Sequence, residues 1–137
     1  MMNTTTELGN AATACSKVVV DFFEALDLND PLKAATFFMP EGVWERSGTS
    51  LTGAVAIKQA LMARPVERTT FHLVSNLQVS VKDKTHAEVQ FFLIAYERHS
   101  HSVDPISPSA IRQCVDHLEF DGECWRIAHK SSRQHMP

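Results

Sequence analysis

The sequence predicts an α+β fold in which three N-terminal helices pack on one face of a curved antiparallel sheet. Apolar residues recur at helical spacing in the first half of the chain and alternate with the two-residue period of strands in the second. With 137 residues, 44% of them hydrophobic, the chain is long enough for one domain with its own core. We therefore expect residues 1–137 to form a single domain, with frayed ends at 1–6 and 132–137.

The longest helical pattern covers Glu7 to Leu28. Its apolar positions follow the i, i+3, i+4, i+7 spacing of one helix face: Leu8, Ala11, Ala12, Cys15, Val18, Val19, Phe22 and Leu26. Asp30-Pro31 predicts a cap and the first turn of a short second helix, because proline is favoured at the first helical position. Pro40-Glu41-Gly42 is expected to break that helix.

A short strand, a turn and a third helix are predicted next. Val43 to Arg46 has the composition of a strand, and Ser47 to Ser50 that of a turn. Gly53 to Ala63 then has the apolar spacing of a helix. From this point the pattern changes to β.

The first long strand, Arg68 to Val81, carries the most informative pattern in the chain. Alternation predicts an apolar face made of odd-numbered residues, namely Phe71, Leu73, Leu77, Val79 and Val81. The other face consists of His72, Val74, Asn76, Gln78 and Ser80. A titratable ring and an amide so close together indicate a strand that borders a polar pocket.

The remaining pattern predicts an antiparallel meander. His86 to Arg98 is apolar on both sides, which is typical of a central strand covered on both faces. Ile111 to Phe120 and Cys124 to Ser131 form a hairpin if Asp121-Gly122 is a two-residue turn.

That register determines what the three cysteines can do. It pairs Cys124 with Glu119 and Cys114 with His129, so these two thiols are not cross-strand partners. No C-x-x-C pair is present either. We therefore predict reduced, buried thiols in a cytoplasmic protein.

Charge and motifs argue against several classes of function. The net charge of −3 comes without acidic or basic runs, which disfavours nucleic acid or a membrane surface as partner. The apolar runs are too short to span a bilayer, and the polar start is unlike a signal peptide. His99-Ser100-His101 has metal-like spacing, but no Glu, Asp or Cys accompanies it in a metal-site pattern, so we expect a loop and no metal site. The sequence contains no phosphate-binding or dinucleotide-binding motif, so we expect no cofactor.

Four segments, in order, resemble the SnoaL-like branch of the nuclear-transport-factor-2-like superfamily. They are Phe22 to Asp27, Leu51-Thr52-Gly53 with Ile57, Arg68 to Asn76, and Asp116 with Asp121-Gly122 and Trp125-Arg126-Ile127. The branch includes polyketide cyclases, scytalone dehydratase and bile-acid dehydratases. The resemblance implies a cone-shaped, cystatin-like fold whose sheet closes over a helix to leave a cavity.

The resemblance also implies roles for two residues. In the dehydratases of the branch a strand histidine is the general acid/base, an aspartate at the end of the first helix orients it, and a tyrosine assists. His72 and Asp27 occupy the first two positions here, while Phe22 stands where the tyrosine would be. The alternatives are a His72 that only lines a cavity and an Asp27 that is solvated in the last helical turn.

Six further residues are predicted to line the ligand pocket: Phe22, Trp44, Asn76, Phe92, Tyr96 and Asp116. Asn76 is expected either to donate to a ligand carbonyl or to bond a neighbouring loop. Asp116 is either a second carboxylate in the pocket or the structural partner of an arginine such as Arg68 or Arg46, and we favour the pairing.

Two functions remain open from the sequence. The first is a cofactor-independent dehydratase or isomerase acting on a hydrophobic, cyclic small molecule. The second is a non-catalytic module for ligand binding or assembly. Because the helices can cover only one side of the sheet, we also predict a homodimer formed through the outer face, with a trimer as the lesser possibility.

Overall fold

A computed structural model describes residues 5–46 and 48–136 of the chain. The fraying expected at residues 1–4 and 137, and the turn residue Ser47, lie outside these ranges. The described elements are α1 (Thr5–Asp27), α2 (Pro31–Thr36), β1 (Phe38–Arg46), β2 (Thr49–Thr52), α3 (Ala54–Met62), β3 (Arg68–Val81), β4 (His86–His99), β5 (Pro108–Phe120) and β6 (Trp125–Met136).

The six strands form one sheet in the order β2-β1-β6-β5-β4-β3. Neighbouring strands are antiparallel except β1 and β6, which run parallel. Helix α1 packs against β3, β4 and β6 on the concave face of the sheet. The predicted α+β fold, with N-terminal helices on a curved and mainly antiparallel sheet, is confirmed.

The core lies between α1 and the concave face. The apolar stripe of α1 is buried there: Ala11, Cys15, Val19, Phe22, Phe23, Ala25 and Leu26. Opposite it lie Val89, Phe91, Leu118 and Ile127 from the central strands. Asp30 caps α2 by accepting a hydrogen bond from the Lys33 backbone N–H at 3.1 Å, as its position before Pro31 predicted.

Strand β1 begins earlier than the sequence predicted, because Pro40-Glu41-Gly42 lies inside it instead of ending α2. The strand is irregular there, with a register shift against β6 between Phe38 and Val43. A Cβ atom at Gly42 would lie 3.0 Å from the carbonyl oxygens of Met39 and Ile127, so a larger residue would require the neighbouring backbone to shift. The expected turn after β1 also leads into an additional short strand, β2.

A β-bulge divides β3 and corrects the predicted strand faces. Ser75 pairs with Phe92 and Gln78 with Gln90, so Asn76 and Leu77 together oppose one residue of β4. Asn76 has a φ of 55°. After the bulge the alternation changes phase, because a bulge contributes two residues where its partner has one. Phe71 and Leu73 therefore face outward, whereas Leu77, Val79 and Val81 pack against the core.

The β5–β6 hairpin has a four-residue turn, because Phe120 pairs with Trp125. The Asp121 carboxylate stabilises the turn: its Oδ1 accepts hydrogen bonds from the backbone N–H groups of Glu123 and Cys124 at 2.8 and 2.9 Å. Together with a register shift between His117 and Leu118, this turn pairs Cys114 with Ser132, not with the predicted His129.

The three thiols remain unpaired, but only two are buried. Cys15 and Cys114 lie in the core, where burial raises the pKa of each thiol to about 12. Cys124 lies in the exposed hairpin turn, which corrects the prediction that all three are buried.

Strand β6 is longer than predicted. Ser132 to Met136 was expected to fray, but these residues continue the ladder with β5 as far as the Ile111–Met136 pair. This extension places Ser132 beside Arg112 at one end of the concave face. Among the described residues, no helix has the length and hydropathy needed to cross a membrane.

Candidate active site

A cavity of about 480 Å³ opens between α1, α3 and the concave face of the sheet. Its apolar wall includes Phe23, Leu26, Trp44, Leu61 and Leu93. Its polar wall includes His72, several serines and a group of cationic side chains. A pocket that combines an apolar wall with convergent polar groups is typical of small-molecule sites.

The most specific contact at the cavity joins His72 of β3 to Asp27 at the end of α1. The His72 Nδ1 atom lies 2.6 Å from Asp27 Oδ1, and the His72 backbone N–H donates to Asp27 Oδ2 at 2.9 Å. Because a carboxylate can only accept, the Nδ1 atom carries the proton in this contact. The Nε2 atom then has its lone pair free for a ligand in the cavity.

The ionised state of Asp27 is stabilised by these contacts. Burial would raise the pKa of this carboxyl, but hydrogen bonds from the His72 ring and backbone, the charge of His72, and the Thr70 hydroxyl outweigh that effect. The pKa of Asp27 therefore lies below its ordinary value. The side chains are mostly sheltered, with 12% of His72 and 17% of Asp27 exposed.

Thr70 and Arg64 complete a network that the sequence analysis did not identify. The Thr70 hydroxyl donates to Asp27 Oδ1 at 2.8 Å, and Arg64 Nη2 donates to the Thr70 hydroxyl at 3.2 Å. Arg64 Nη1 also donates to the Leu26 carbonyl at 3.4 Å. Period-two spacing could have found Thr70, which lies on the same strand face as His72, but nothing local indicates Arg64.

Phe22 lies in the core and not on the cavity surface, which corrects its predicted role. Its ring is fully buried and packs edge-on against Trp44, with ring centroids 5.4 Å apart. The neighbouring Phe23 lines the cavity and contacts the His72 ring at a centroid distance of 5.1 Å. Trp44 lines the cavity as predicted.

Three other predicted lining residues lie on the opposite side of the sheet. Asn76 and Phe92 border a separate depression on the convex face. Tyr96 does not line the cavity and packs against Phe71 at a centroid distance of 6.4 Å. Asn76 is separated from His72 because it occupies the bulge, so its amide is not turned toward the cavity by strand alternation.

Asp116 is buried beneath the cavity and pairs with a lysine, not with the predicted Arg68 or Arg46. Lys130 Nζ donates to Asp116 Oδ2 at 2.9 Å, and the carboxylate is fully buried. The Lys130 ammonium also lies over the Phe22 and Phe23 rings, 4.6 Å from each centroid. Burial raises the pKa of the Asp116 carboxyl, although the Lys130 charge opposes that change. The geometry agrees with the favoured prediction that Asp116 has a structural partner, although that partner is Lys130.

Metal-ligating side chains do not converge in the part of the chain that the structure describes: it contains no group of three or more His, Cys, Asp or Glu arranged to hold an ion. A set of polar side chains lines the cavity. It consists of one imidazole with an oriented proton, several hydroxyls and the cations.

Comparison with known structures identifies the same fold in several proteins. A scytalone dehydratase-like protein from Novosphingobium aromaticivorans shares 21% identity and superimposes with a TM-score of 0.88, covering 97% of this chain and 89% of the other. A nuclear-transport-factor-2-like protein with a cystatin-like fold from the same organism shares 11% identity, with a TM-score of 0.84 and coverage of 98% and 92%.

A third similar structure, from Catenulispora acidiphila, was solved in complex with S-DNPA. It shares 16% identity, with a TM-score of 0.76 and coverage of 89% of this chain and 91% of the other. At these identities the three similarities establish the fold, which is the cystatin-like, nuclear-transport-factor-2-like fold.

Sequence comparison gives the family. No curated protein sequence gives a significant match to the chain. The SnoaL-like domain family, however, matches residues 10–131, which include most of α1, the His72 strand and most of the closing hairpin. The chain therefore belongs to the SnoaL-like domain family of the nuclear-transport-factor-2-like superfamily.

Proposed function

We propose that this protein is a cofactor-independent dehydratase or isomerase that moves a proton on a cyclic small molecule, with His72 as the base and Asp27 as its orienting group. The observation that carries the proposal is the 2.6 Å contact between His72 Nδ1 and Asp27 Oδ1 at the wall of a cavity. A buried carboxylate that fixes the tautomer of a histidine at a pocket is a frequent arrangement for general-base catalysis. The similarity to a scytalone dehydratase-like protein supports this class of reaction.

The proposed step is an elimination of water. The His72 Nε2 atom takes a proton from the carbon next to a ring carbonyl, and the electron pair forms the enolate. The enolate then expels a hydroxyl group from the next carbon, and the protonated His72 returns its proton to that hydroxyl. A carbon–carbon double bond forms and one water molecule leaves, so the step balances without an oxidant. An isomerase would return the proton to carbon instead.

The test is a panel of cyclic β-hydroxyketones, with enone formation followed by absorbance. General-base catalysis contributes about 10²–10⁴-fold, so His72→Gln should lower kcat/KM by at least about a hundredfold. His86→Gln is the matched control, because His86 also contacts an aspartate, Asp83, at 3.0 Å but is exposed and away from the cavity. A loss below tenfold in His72→Gln would show that the ring binds ligand without moving a proton.

Coupling between the two residues provides a second criterion. If Asp27 acts only by orienting His72, the double variant His72→Gln/Asp27→Asn should lose little more activity than the worse single variant, because residues that work as one unit are not additive. Fully additive losses would contradict that relation.

The alternative, a ligand-binding module without catalysis, is favoured by one observation. The family position usually occupied by tyrosine is Phe22, and its ring is buried in the core. Tyr96, the chain's single tyrosine, does not line the cavity. A module of this kind would turn over no member of the panel and would bind planar probes equally well with and without the His72 imidazole.

A further inference from the structure

The cavity is lined by an unusual excess of cationic side chains. Five lining residues carry positive charge: Arg46, Arg64, Arg68, Arg112 and Lys130. No aspartate or glutamate lines the cavity within residues 5–46 and 48–136. The chain as a whole has a net charge of −3, so this grouping of cations is opposite in sign to the overall charge.

Only two of the five cations are neutralised by a carboxylate in direct contact. Arg68 Nε donates to Glu97 Oε2 at 2.7 Å, and Lys130 pairs with Asp116. The three others, Arg46, Arg64 and Arg112, have no carboxylate within ion-pair distance among the described residues. Asp27, the remaining carboxylate near the cavity, is occupied by His72 and Thr70.

Arg112 is the guanidinium best placed to receive an anion. It lies on the concave face of β5, partly buried, and its Nε atom donates to the Ser132 hydroxyl at 2.7 Å. Its Nη2 atom donates to the Ser132 carbonyl at 3.3 Å. Both acceptors are neutral, so they orient the planar group and leave its charge uncompensated. Within the described chain its Nη1 atom makes no hydrogen bond, and an oriented guanidinium suits a planar carboxylate.

A second group of like charges at the cavity surrounds Arg64. Burial lowers the pKa of the Arg64 guanidinium, and the charges of Arg68 and Arg46 lower it further, while Asp27 opposes them. A partly buried cation with cationic neighbours is held at a cost in free energy. An anion that enters the cavity lowers this cost, because the cationic side chains then interact with a group of opposite charge.

We infer that the ligand of this cavity is an organic anion: an apolar, ring-containing molecule with a carboxylate or similar planar anionic group that binds Arg112. The ring system would contact Phe23, Leu26 and Leu93, which supply the apolar wall. This inference rests on the proposed function, since it specifies the substrate class of the same site. It replaces the purely hydrophobic molecule expected from the sequence with an amphipathic acid.

The test compares cinnamate with cinnamamide, which have the same shape but differ in charge, by isothermal titration calorimetry at low ionic strength. A hydrogen bond to a charged group contributes about 1.5–3 kcal/mol, which corresponds to roughly ten- to hundredfold tighter binding of cinnamate. Arg112→Gln should reduce that preference below about threefold and leave cinnamamide binding unchanged, because it removes the charged partner alone.

Arg133→Gln is the matched control. Arg133 follows Ser132 on β6, and its Nε atom donates to Gln113 at 2.7 Å, but it is exposed and does not line the cavity. Removing its charge should preserve the cinnamate preference.

Arg112→Lys is a second variant at the binding position. It keeps the charge and loses the planar fork, so it should retain part of the cinnamate preference. This variant decides the question if Arg112→Gln fails to fold.

Each contrary result has a distinct meaning. Equal affinity for the two probes would overturn the anion inference and leave the proposed function standing, as an enzyme for neutral substrates. Equal loss of the cinnamate preference in Arg112→Gln and Arg133→Gln would show long-range charge attraction and overturn the role of Arg112. Binding of neither probe would overturn the inference, while dehydration of a β-hydroxyketone would still support the proposed function.

Discussion

At the scale of single residues, the position of Asp27 calls for an explanation. It is the last residue of α1, where the helix dipole is negative and a carboxylate is disfavoured. It accepts three hydrogen bonds there, from the His72 ring, the His72 backbone and the Thr70 hydroxyl. Hydrogen bonds to a carboxylate are stronger than neutral ones, and they offset the unfavourable helix end.

The first prediction concerns the pH dependence of this contact. Because the folded-state pKa of Asp27 is depressed, its ionised form stabilises the fold above the unfolded-state pKa of about 4, and this contribution is lost as the pH falls through the folded-state pKa. The free-energy gap between the native protein and Asp27→Asn should therefore shrink as the pH is lowered from about 5. Urea unfolding at a series of acidic pH values measures it.

Glu24→Gln is the control for this series, since Glu24 lies on the same helix and is exposed. Its unfolding free energy should stay close to that of the native protein throughout. A gap for Asp27→Asn that keeps the same size down to acid unfolding would show that the carboxylate is not stabilised by the contacts described.

The sequence predicted some site residues and missed others for clear reasons. The resemblance identified His72 and Asp27, and alternation along β3 turned His72 to the concave face. The sequence pattern could not identify Arg112, because the contact that orients this side chain depends on the extended β6, which brings Ser132 beside it. Phe22 was assigned to the cavity because the resemblance places it at the tyrosine position, but its ring is buried in the core and the adjacent Phe23 lines the cavity.

At the scale of elements, the bulge in β3 controls which residues reach the cavity. His72 and Val74 face inward. Without the additional residue, strict alternation would also turn Gln78 and Ser80 inward. It would turn Leu77 and Val79 outward, away from the core. Alternation alone predicted one apolar face along the whole strand, since no two-residue pattern reveals a bulge. The single local sign was an asparagine, one of the few residue types that adopt a positive φ at modest cost.

The second prediction tests the bulge through its backbone conformation. Asn76→Gly should be tolerated, since glycine adopts a φ of 55° freely, whereas Asn76→Val should lower the free energy of unfolding by about 1–2 kcal/mol. Chemical denaturation of both variants measures the difference. If valine is accepted at no cost, the bulge does not have the left-handed conformation described.

Regular elements were otherwise well predicted. Helix α1 and strands β3 and β4 have boundaries within about two residues of those expected, because long periodic segments identify themselves. Strand β1 differs because a tertiary contact, the close approach of Gly42 to Ile127, lies within it. The hairpin turn differs because local hydrogen bonds to the Asp121 carboxylate stabilise four turn residues instead of two.

At the scale of the whole molecule, one face of the sheet remains uncovered. Helix α1 covers the concave face, while Phe71 and Leu73 on the convex face are 54% and 42% exposed. Tyr96 and Phe92 on β4 extend this surface. Adjacent apolar side chains on a sheet surface are typical of an association site.

The third prediction is that the protein forms a homodimer through this convex face, with a trimer as the lesser possibility. Leu73→Glu should shift the species toward monomer, because it places a charge in the interface. Val103→Glu, at an exposed valine in the β4–β5 loop, should leave the mass unchanged. Solution scattering over a range of concentrations measures the mass, and a native monomer mass independent of concentration would contradict the prediction.

We propose that Asp27 holds the His72 proton on Nδ1 and leaves Nε2 available to the cavity. Proton–nitrogen correlation NMR of the imidazole rings, at a pH where His72 is neutral, tests this most directly. We expect a protonated Nδ1 and an unprotonated Nε2 whose resonance shifts when a cavity ligand binds, and we expect Asp27→Asn to lose this tautomer preference. A proton on Nε2, or an Nε2 resonance that does not change with ligand, would contradict it.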